Sequence, residues 1–268
     1  MRTLVFGTGP IALDARGNEL RSLLGDLLSI SLRVPVEVRP ALTYSELLAW
    51  VGRREVQLAW LGPALFVQAQ SRFGVQPLVQ AERRGHAGFR GALFVREDSS
   101  IREPEELSGA SIAWVDPDSC AGYLFPRIAL AQRGLDPDAL FGEQRMLGSH
   151  LAVAGAVASK QVVAGATYVQ LAQDGDDAAP LGGFSGAEVP MRMILTTDAI
   201  PGDVIAATRE ITAESLPVIS KSLSLLHEAS GGAEIATELF MIERFAPVQA
   251  EGYDGVRDAI RAAGMILE

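Results

Sequence analysis

The sequence is poor in the residue types that most often build catalytic and metal centres. Its 268 residues contain one cysteine, Cys120, and three histidines, His86, His150 and His227, which lie far apart along the chain. A single thiol excludes an intramolecular disulfide and is most simply a small buried residue. The histidines and the cysteine show no ligand spacing. The sequence therefore predicts no metal site and no cofactor.

Long apolar runs and an excess of positive charge are also absent. No stretch approaches the roughly 18 uninterrupted apolar residues that a membrane-spanning helix needs. Lys and Arg total 23 against 33 Asp and Glu, which gives a formal net charge of −10. Nucleic acid and anionic membrane surfaces repel such a chain, so we expect neither nucleic-acid binding nor direct membrane insertion. Local dipoles must hold any anionic ligand.

The start of the chain carries no recognisable export leader. Residues 1–7 run directly into a short apolar strand. If Met1 is the native start, we expect a cytoplasmic protein. If a leader has been removed, we expect a periplasmic or lipid-anchored protein.

The common catalytic motifs are missing. The sequence has no GxSxG elbow, no Walker loop and no HExxH pair. Gly7 and Gly9 follow the first apolar run, but no third glycine completes a dinucleotide-binding fingerprint. Asp174, Asp176 and Asp177 form an acidic cluster typical of a solvated loop. We expect no catalytic residues.

Short strand-like runs alternate with longer helical periods along most of the chain. The predicted strands are residues 3–6, 36–39, 56–60, 76–80, 92–96, 111–115, 144–147, 163–167, 191–196 and 204–207. Leucines at helical spacing predict a helix over 18–32, and Thr43 with Glu46 forms a capping-box pattern ahead of another. This alternation is typical of α/β folds with mainly parallel sheets.

Two features predict a chain that leaves one lobe and later returns to it. A fresh βα series begins after residues 96–100, and residues 174–190 have the Gly, Asp and Pro content of a connection. We expect lobe 1 to comprise 1–96 plus 193–268, and lobe 2 to comprise 97–192. Length alone also permits a single domain.

Three strand-to-helix corners are candidate ligand sites, because helix N-termini at the carboxyl ends of parallel strands favour anions. In the first corner Ser119 can cap a helix that begins near Cys120. In the second, Gly62 follows Trp60 and Leu61 and precedes a proline, and in the third His150 opens a small-residue helix. A plain capped helix, a structural turn and a structural histidine remain the alternatives.

Several segments together resemble a known family. They are residues 43–48, 56–63, 88–99, 115–127, 148–150, 164–168, 200–203, 244–248 and 253–257. In this order they resemble the phosphate, phosphite and phosphonate (PhnD-like) solute-binding proteins of ABC importers, over nearly the whole chain. The most specific segment is the Asp-Pro-Asp-Ser run that continues to Gly122 and Tyr123.

The resemblance implies a two-lobed type II periplasmic-binding-protein fold, with two hinge crossovers and a ligand cleft between the lobes. It implies an oxyanion site formed by Tyr44, Ser119, the N–H groups near Cys120 and Ala121, and His150. The full set of candidate ligand-binding residues is Tyr44, Trp60, Leu61, Gly62, Phe89, Ser119, Cys120, Ala121, Gly122, Tyr123, His150 and Tyr168.

This sequence departs from the family's pattern at several of those positions. Cys120 and Ala121 replace two hydroxyl residues of a Ser-Thr-Ser run, and Phe89 replaces a tyrosine. Acidic positions that can hold a ligand amine in the family are Val169 and Gln170 here. We therefore hypothesise that the ligand has drifted from phosphonate towards a bulkier or more apolar anion.

The predicted function is capture of a small anionic ligand by hinge closure near residues 94–98 and 191–196. The partner that we expect to recognise the closed form is an ABC permease or a signalling protein. The alternative is a cytoplasmic enzyme on the same fold, of the menaquinone-pathway type, acting on a small carboxylated substrate. That alternative rests on His150 as a possible base, and it lacks the early motif of those enzymes.

Overall fold

The computed structural model describes residues 3–11, 14–170 and 181–264. The acidic cluster at 174–177 lies outside the described residues. By their internal contacts the described residues form two compact units, each with its own sheet and core. Unit 1 contains the chain up to Gly88 and Pro201–Arg257, and unit 2 contains Phe89–Ile200 and residues 258–264.

Twelve strands occur in the described residues. They are β1 (Leu4–Thr8), β2 (Val36–Pro40), β3 (Leu58–Leu61), β4 (Gln76–Glu82), β5 (Gly88–Arg96), β6 (Ser111–Trp114), β7 (Glu143–Met146), β8 (Ala164–Gln170), β9 (Leu181–Gly182), β10 (Met191–Pro201), β11 (Val204–Ala207) and β12 (Arg244–Ala246). All ten predicted strands coincide with one of these; β9 and β12, two and three residues long, were not predicted.

Nine α-helices occur in the same part of the chain. They are α1 (Ala15–Leu32), α2 (Tyr44–Gly52), α3 (Pro63–Phe73), α4 (Phe125–Gln132), α5 (Pro137–Leu140), α6 (His150–Ala158), α7 (Leu216–Ser224), α8 (Gly232–Glu234) and α9 (Asp254–Ala262). The chain also forms π-helical turns at Cys120–Leu124 and Ile235–Leu239, and 3₁₀ turns at Pro104–Leu107, Leu226–Glu228 and Ala250–Tyr253.

The sheet of unit 1 has the strand order β12-β4-β11-β3-β1-β2. β1 pairs in parallel with β2 and β3, whereas β11 runs antiparallel to both β3 and β4. The core on this sheet includes Phe6, Leu24 and Trp60, and it is completed by side chains from α1, α7 and the Ile235–Leu239 turn. Trp60 stacks on Phe240 with ring centroids 4.3 Å apart.

The sheet of unit 2 has the order β10-β5-β8-β6-β7, and the short β9 pairs with β8. β6 pairs in parallel with β7 and β8, and β5 runs antiparallel to β8. Trp114 is fully buried in the core of this unit, against Leu130 and Phe141. Both sheets are thus mixed and not mainly parallel as the sequence predicted, because β4, β5, β11 and β12 take part in antiparallel pairings. Each sheet keeps a parallel part, and the carboxyl edge of that part carries the helix starts.

The unit boundaries differ from those expected from the sequence. They fall after Gly88 and after Ile200, whereas the sequence placed them at 96/97 and 192/193. The reason is that β5 and β10 are long strands of the second sheet, so they carry residues 89–96 and 193–200 into unit 2. The backbone N–H of Gly91 also donates to Thr197 Oγ1 at 2.9 Å. The predicted hinge segments at 94–98 and 191–196 therefore lie within unit 2.

Candidate functional site

The corner after β6 is a capped turn that enters a helix through a π-helical start. Ser119 is buried, and its Oγ accepts from the backbone N–H of Gly122 at 3.0 Å. The N–H of Leu124 donates to the Ser119 carbonyl, and the N–H of Phe125 donates to the Cys120 carbonyl. Ser119 is therefore the N-cap that the sequence predicted, but the first turn is wider than an α-helical one.

Pro126 explains how this turn is fixed to the end of β6. In a regular α-helix the N–H of residue 126 would donate to the carbonyl of Gly122, and proline has no N–H. The Gly122 carbonyl instead accepts from the N–H of Val115 at 3.1 Å. A Cβ on Gly122 would lie 2.3 Å from Val115 Cγ2, so only glycine permits this close approach.

The corner after β7 places His150 at the start of α6. The N–H of Gly148 donates to the Val115 carbonyl at 2.8 Å, so this loop lies beside the first corner. Ser149 is the N-cap of α6 and its Oγ accepts from the N–H of Ala152 at 3.2 Å. A helix start whose N–H groups point outward favours a bound anion.

The side chain of His150 is held by two residues of β8. Its Nδ1 lies 2.9 Å from Thr167 Oγ1, and its ring packs edge-on against Tyr168 with centroids 5.0 Å apart. Thr167 is fully buried. The imidazole orientation is therefore set by the sheet beneath it.

Parallel pairing brings these residues to one edge of the second sheet. β7 and β8 both run parallel to β6, so their carboxyl ends meet at the same edge. β8 also packs against both the Cys120–Leu124 turn and α6. The structure thus gathers Ser119, Cys120, Ala121, His150 and Tyr168 within unit 2.

The electrostatics of this edge combine two helix starts with two neighbouring carboxylates, Asp116 and Asp118. Asp116 precedes Ser119, and its Oδ1 accepts from the N–H of Asp118 at 2.9 Å. Burial raises the pKa of the Asp116 carboxyl, because its charged form loses hydration, and the nearby charge of Asp118 adds to the shift. No cluster of three potential metal ligands occurs among the described residues, and Cys120 is buried and forms no disulfide.

Two of the predicted residues of unit 1 lie at the carboxyl edge of its sheet. Tyr44 is the first residue of α2, behind the N-cap Thr43, whose side chain accepts from the N–H of Glu46 at 3.1 Å. A Cβ on Gly9, which follows β1, would lie 3.9 Å from Tyr44 Cε1. Gly62 is the N-cap of α3, directly before Pro63 in the first turn.

Three other predicted ligand-binding residues make packing contacts within their own unit. Trp60 and Leu61 lie inside the core of unit 1, with Leu61 fully buried. Tyr123 packs edge-on against Trp114 and lies under the guanidinium of Arg127, 4.9 Å from its ring centroid. These packing contacts explain the positions of Trp60, Leu61 and Tyr123 without a ligand.

Phe89 was expected in lobe 1, and the structure places it at the start of β5 in unit 2. The side chain is half-buried there. The reason is again the length of β5, which belongs to the second sheet.

Sequence reasoning missed the residues that support His150. Thr167 lies in a segment that carried the family resemblance, but no role was assigned to it. Gly183 is the second such residue, because a Cβ there would lie 2.1 Å from Thr167 Oγ1 and 3.1 Å from His150 Cβ. Contacts between residues 16 or more positions apart leave no local signal in a single sequence.

In the described part of the chain, no helix combines the length and apolar character needed to cross a membrane. A model of the family described as "ABC transporter, phosphonate, periplasmic substrate-binding protein" matches residues 6–253.

Solved structures of similar fold cover nearly the whole chain. PhnD1 from Prochlorococcus marinus (MIT 9301), in complex with methylphosphonate, has a TM-score of 0.82 at 18% identity, covering 98% of this chain and 99% of that one. A binding protein component of an ABC phosphonate transporter from Pseudomonas aeruginosa has a TM-score of 0.78 at 19% identity, covering 96% and 85%. XAC2383 from Xanthomonas citri, bound to ATP, has a TM-score of 0.75 at 20% identity, covering 98% of both.

These likenesses confirm the two-lobed periplasmic-binding-protein fold predicted from the sequence, and the family match confirms the resemblance. The chain therefore belongs to the family of periplasmic substrate-binding proteins of phosphonate ABC transporters.

Proposed function

We propose that this protein captures a small organic oxyanion of the phosphonate or phosphate class at the edge formed by Ser119, His150 and Tyr168. The observation that carries the proposal is the support of His150 by Thr167 and Tyr168 beside a Ser-capped helix start. Such a corner offers backbone N–H groups, a hydroxyl and an imidazole to one anionic head group. We also propose Tyr44, a residue of unit 1, as a ligand of the same anionic head group.

The chemistry of the corner favours a ligand with an apolar part. Cys120 and Ala121 are buried and offer a thiol and a methyl group where the family has hydroxyls. Each hydrogen bond lost to a charged head group weakens binding by about 1.5–3 kcal/mol. Relatives of this fold bind methylphosphonate and ATP, respectively. An organic phosphonate or phosphate ester therefore fits this chain better than inorganic phosphate.

Isothermal titration calorimetry tests the proposal with four probes: methylphosphonate, phenylphosphonate, inorganic phosphate and hexanoate. We expect phenylphosphonate to bind most tightly, and His150→Ala to weaken it about tenfold or more. His86→Ala is the matched control, because His86 is exposed and lies in unit 1. Sub-micromolar binding of methylphosphonate or phosphate would refute the hypothesis that the ligand has become bulkier or more apolar. Equal binding by both histidine variants would refute the site.

The proposal includes closure of the two units around the ligand, with bending near Gly88–Phe89 and Ile200–Pro201, where the chain passes between units. A ligand that prefers the closed form shifts the population towards it. Small-angle X-ray scattering should therefore show a smaller radius of gyration with saturating ligand. An unchanged radius under those conditions would contradict closure.

We further propose that an ABC permease on the periplasmic side receives the ligand, as the family's description supports. Stimulation of the ATPase activity of the reconstituted importer by the loaded protein would be the expected result. A signalling partner is the alternative, and it predicts no stimulation.

We propose that the protein binds its ligand without transforming it. A bound compound should therefore be recovered unchanged by mass spectrometry, whereas turnover abolished by His150→Ala would indicate an enzyme.

A further inference from the structure

The turn that follows β9, at residues 182–185, is bound to the end of β8 by its backbone. The N–H of Gly183 donates to the Tyr168 carbonyl at 3.1 Å. The N–H of Gly182 donates to Ser185 Oγ at 2.7 Å, and the N–H of Ser185 donates to the Gly182 carbonyl at 2.9 Å. These bonds fix the shape of the turn and its place on β8.

Phe184 attaches the same turn to a buried side chain of unit 2. Its ring centroid lies 5.1 Å from that of Phe94, a fully buried residue of β5. The ring also lies close to the backbone of the turn, since a Cβ on Gly182 would be 3.1 Å from Phe184 Cε1. The turn is therefore held by two strands, by β8 through its backbone and by β5 through the Phe184 ring.

The held turn places Gly183 against His150 and the two residues that support it. A Cβ on Gly183 would lie 2.1 Å from Thr167 Oγ1, far inside van der Waals contact. It would also lie 3.1 Å from His150 Cβ and 3.2 Å from Tyr168 Cε1. The φ angle of Gly183 is not in the left-handed region, so the lack of space, and not the backbone conformation, requires glycine here.

The nearest of these atoms, Thr167 Oγ1, is the one that lies 2.9 Å from His150 Nδ1. Thr167 is fully buried, so its hydroxyl can leave this place only by rotation about χ1, which moves Oγ1 away from the imidazole. A side chain at position 183 would force that rotation or lift the turn off β8. Either change would release the imidazole.

We propose that Gly183 and Phe184 are positioning residues that keep His150 ordered before the anionic ligand arrives, an inference that rests on the proposed function. A side chain that is already ordered spares the ligand the entropy cost of ordering it on association. A variant that frees the imidazole should therefore bind the ligand about 2- to 10-fold more weakly, the cost of immobilising one side chain.

The test compares Gly183→Ala with Gly186→Ala, a substitution in the same segment where nothing lies within 4 Å of the new Cβ. The ring ¹⁵N shifts of His150 are measured without ligand, and phenylphosphonate affinity is measured by calorimetry. We expect Gly183→Ala to change the ring shifts and to weaken phenylphosphonate about 2- to 10-fold. Gly186→Ala should match the wild type in both measurements. Equal effects of the two substitutions would overturn the proposal.

A double-mutant cycle shows whether the effect passes through the threonine hydroxyl. Thr167→Ala removes the atom that the new Cβ would meet. In that background Gly183→Ala should weaken phenylphosphonate further by less than about twofold, because the two changes act on one contact. The same loss from Gly183→Ala in both backgrounds would overturn the proposal.

Phe184→Ala releases the turn without adding volume beside His150. It should change the ring shifts of His150 and weaken phenylphosphonate about 2- to 10-fold, as Gly183→Ala does. Wild-type ring shifts in Phe184→Ala would show that the turn does not order the imidazole. This variant decides the matter even if Gly183→Ala folds poorly.

The two measurements separate this inference from the proposed function. Altered ring shifts with unchanged phenylphosphonate affinity would confirm that the turn orders His150 and would contradict the proposed anion site. Unchanged ring shifts in both turn variants, with weaker binding by His150→Ala, would support the anion site and overturn the role of Gly183 and Phe184.

Discussion

The imidazole of His150 and the hydroxyl of Thr167 form a contact of 2.9 Å between Nδ1 and Oγ1. The contact links the first residue of α6 to a fully buried position of β8. When the threonine hydroxyl donates to Nδ1, a neutral ring carries its proton on Nε2. A neutral imidazole can donate from only one nitrogen. Thr167 is therefore a positioning residue for His150.

Replacement of Thr167 by valine removes the hydroxyl that contacts His150 Nδ1 and keeps a side chain of similar size. The imidazole of His150 should then no longer be restricted to one tautomer. We expect phenylphosphonate affinity to fall about 2- to 10-fold, the range of one ordinary hydrogen bond. The ring ¹⁵N shifts of His150 should show a mixed tautomer in the variant. Thr167→Ser keeps the hydroxyl and should retain both properties. Wild-type ring shifts in Thr167→Val would show that the hydroxyl does not select the tautomer.

Restoring hydroxyls at the helix start should raise affinity for simple phosphonates. Cys120→Ser with Ala121→Ser adds two donors to the corner that begins at Ser119. Each hydrogen bond to a charged group is worth about 1.5–3 kcal/mol, so methylphosphonate should bind about tenfold more tightly or better. Calorimetry measures the gain, and Ala131→Ser on the exposed side of α4 is the control. No gain in the double variant would show that the missing hydroxyls do not set ligand choice.

The strands and most helix starts could be predicted from the sequence, because local patterns specify them. Thr43 and Ser149 have short polar side chains directly before apolar periods, and both cap helices in the structure. The π-helical start at Cys120 could not be predicted. Pro126 has no N–H to donate to the Gly122 carbonyl, and the N–H of Val115, the residue after β6, donates to it instead.

The unit boundaries and some contacts of the candidate residues could not be predicted either, because they depend on residues far apart in the sequence. β5 ends at the predicted boundary after Arg96, and β10 runs across the predicted boundary at 192/193. Both strands pair in the second sheet, and a single sequence does not reveal such non-local pairing. Trp60 was predicted at a ligand corner because a strand ends beside it. Its burial and its stacking on Phe240, 180 positions later in the chain, could not be predicted from that local pattern.

Gly122 should tolerate no larger side chain. In Gly122→Ala the new Cβ would lie 2.3 Å from Val115 Cγ2 and 2.9 Å from Ser119 Oγ. Overpacking of this kind costs about 1–3 kcal/mol of unfolding free energy, measured by urea denaturation. Val115→Ala in the same chain should recover part of the loss. Gly155→Ala, where nothing lies within 4 Å of the new Cβ, should instead stabilise α6 by about 0.5–1 kcal/mol. Equal effects of the two glycine substitutions would contradict this explanation.

Asp116 should make both stability and anion affinity depend on pH. Burial raises the pKa of its carboxyl in the folded protein, so the folded state binds the proton more tightly than the unfolded state. The free energy of unfolding therefore falls as pH rises from the ordinary aspartate pKa through the raised one. Asp116→Asn keeps the oxygen that accepts from Asp118 and removes this penalty. Above the window the variant should be more stable than the wild type by under about 1 kcal/mol, since solvent screens a half-buried group.

The same substitution removes a negative charge beside the helix start that Ser119 caps. Phenylphosphonate should bind about two- to fivefold more tightly to Asp116→Asn at neutral pH, in line with the size of charge effects at helix ends. The two proteins should converge below the ordinary aspartate pKa, where both carry a neutral group at this position. Urea denaturation and calorimetry across pH 3–8 measure the two effects. Asp26→Asn, an exposed carboxylate on α1, controls for net charge. If its affinity rises as much as that of Asp116→Asn, the effect is one of total charge and Asp116 has no special relation to the ligand.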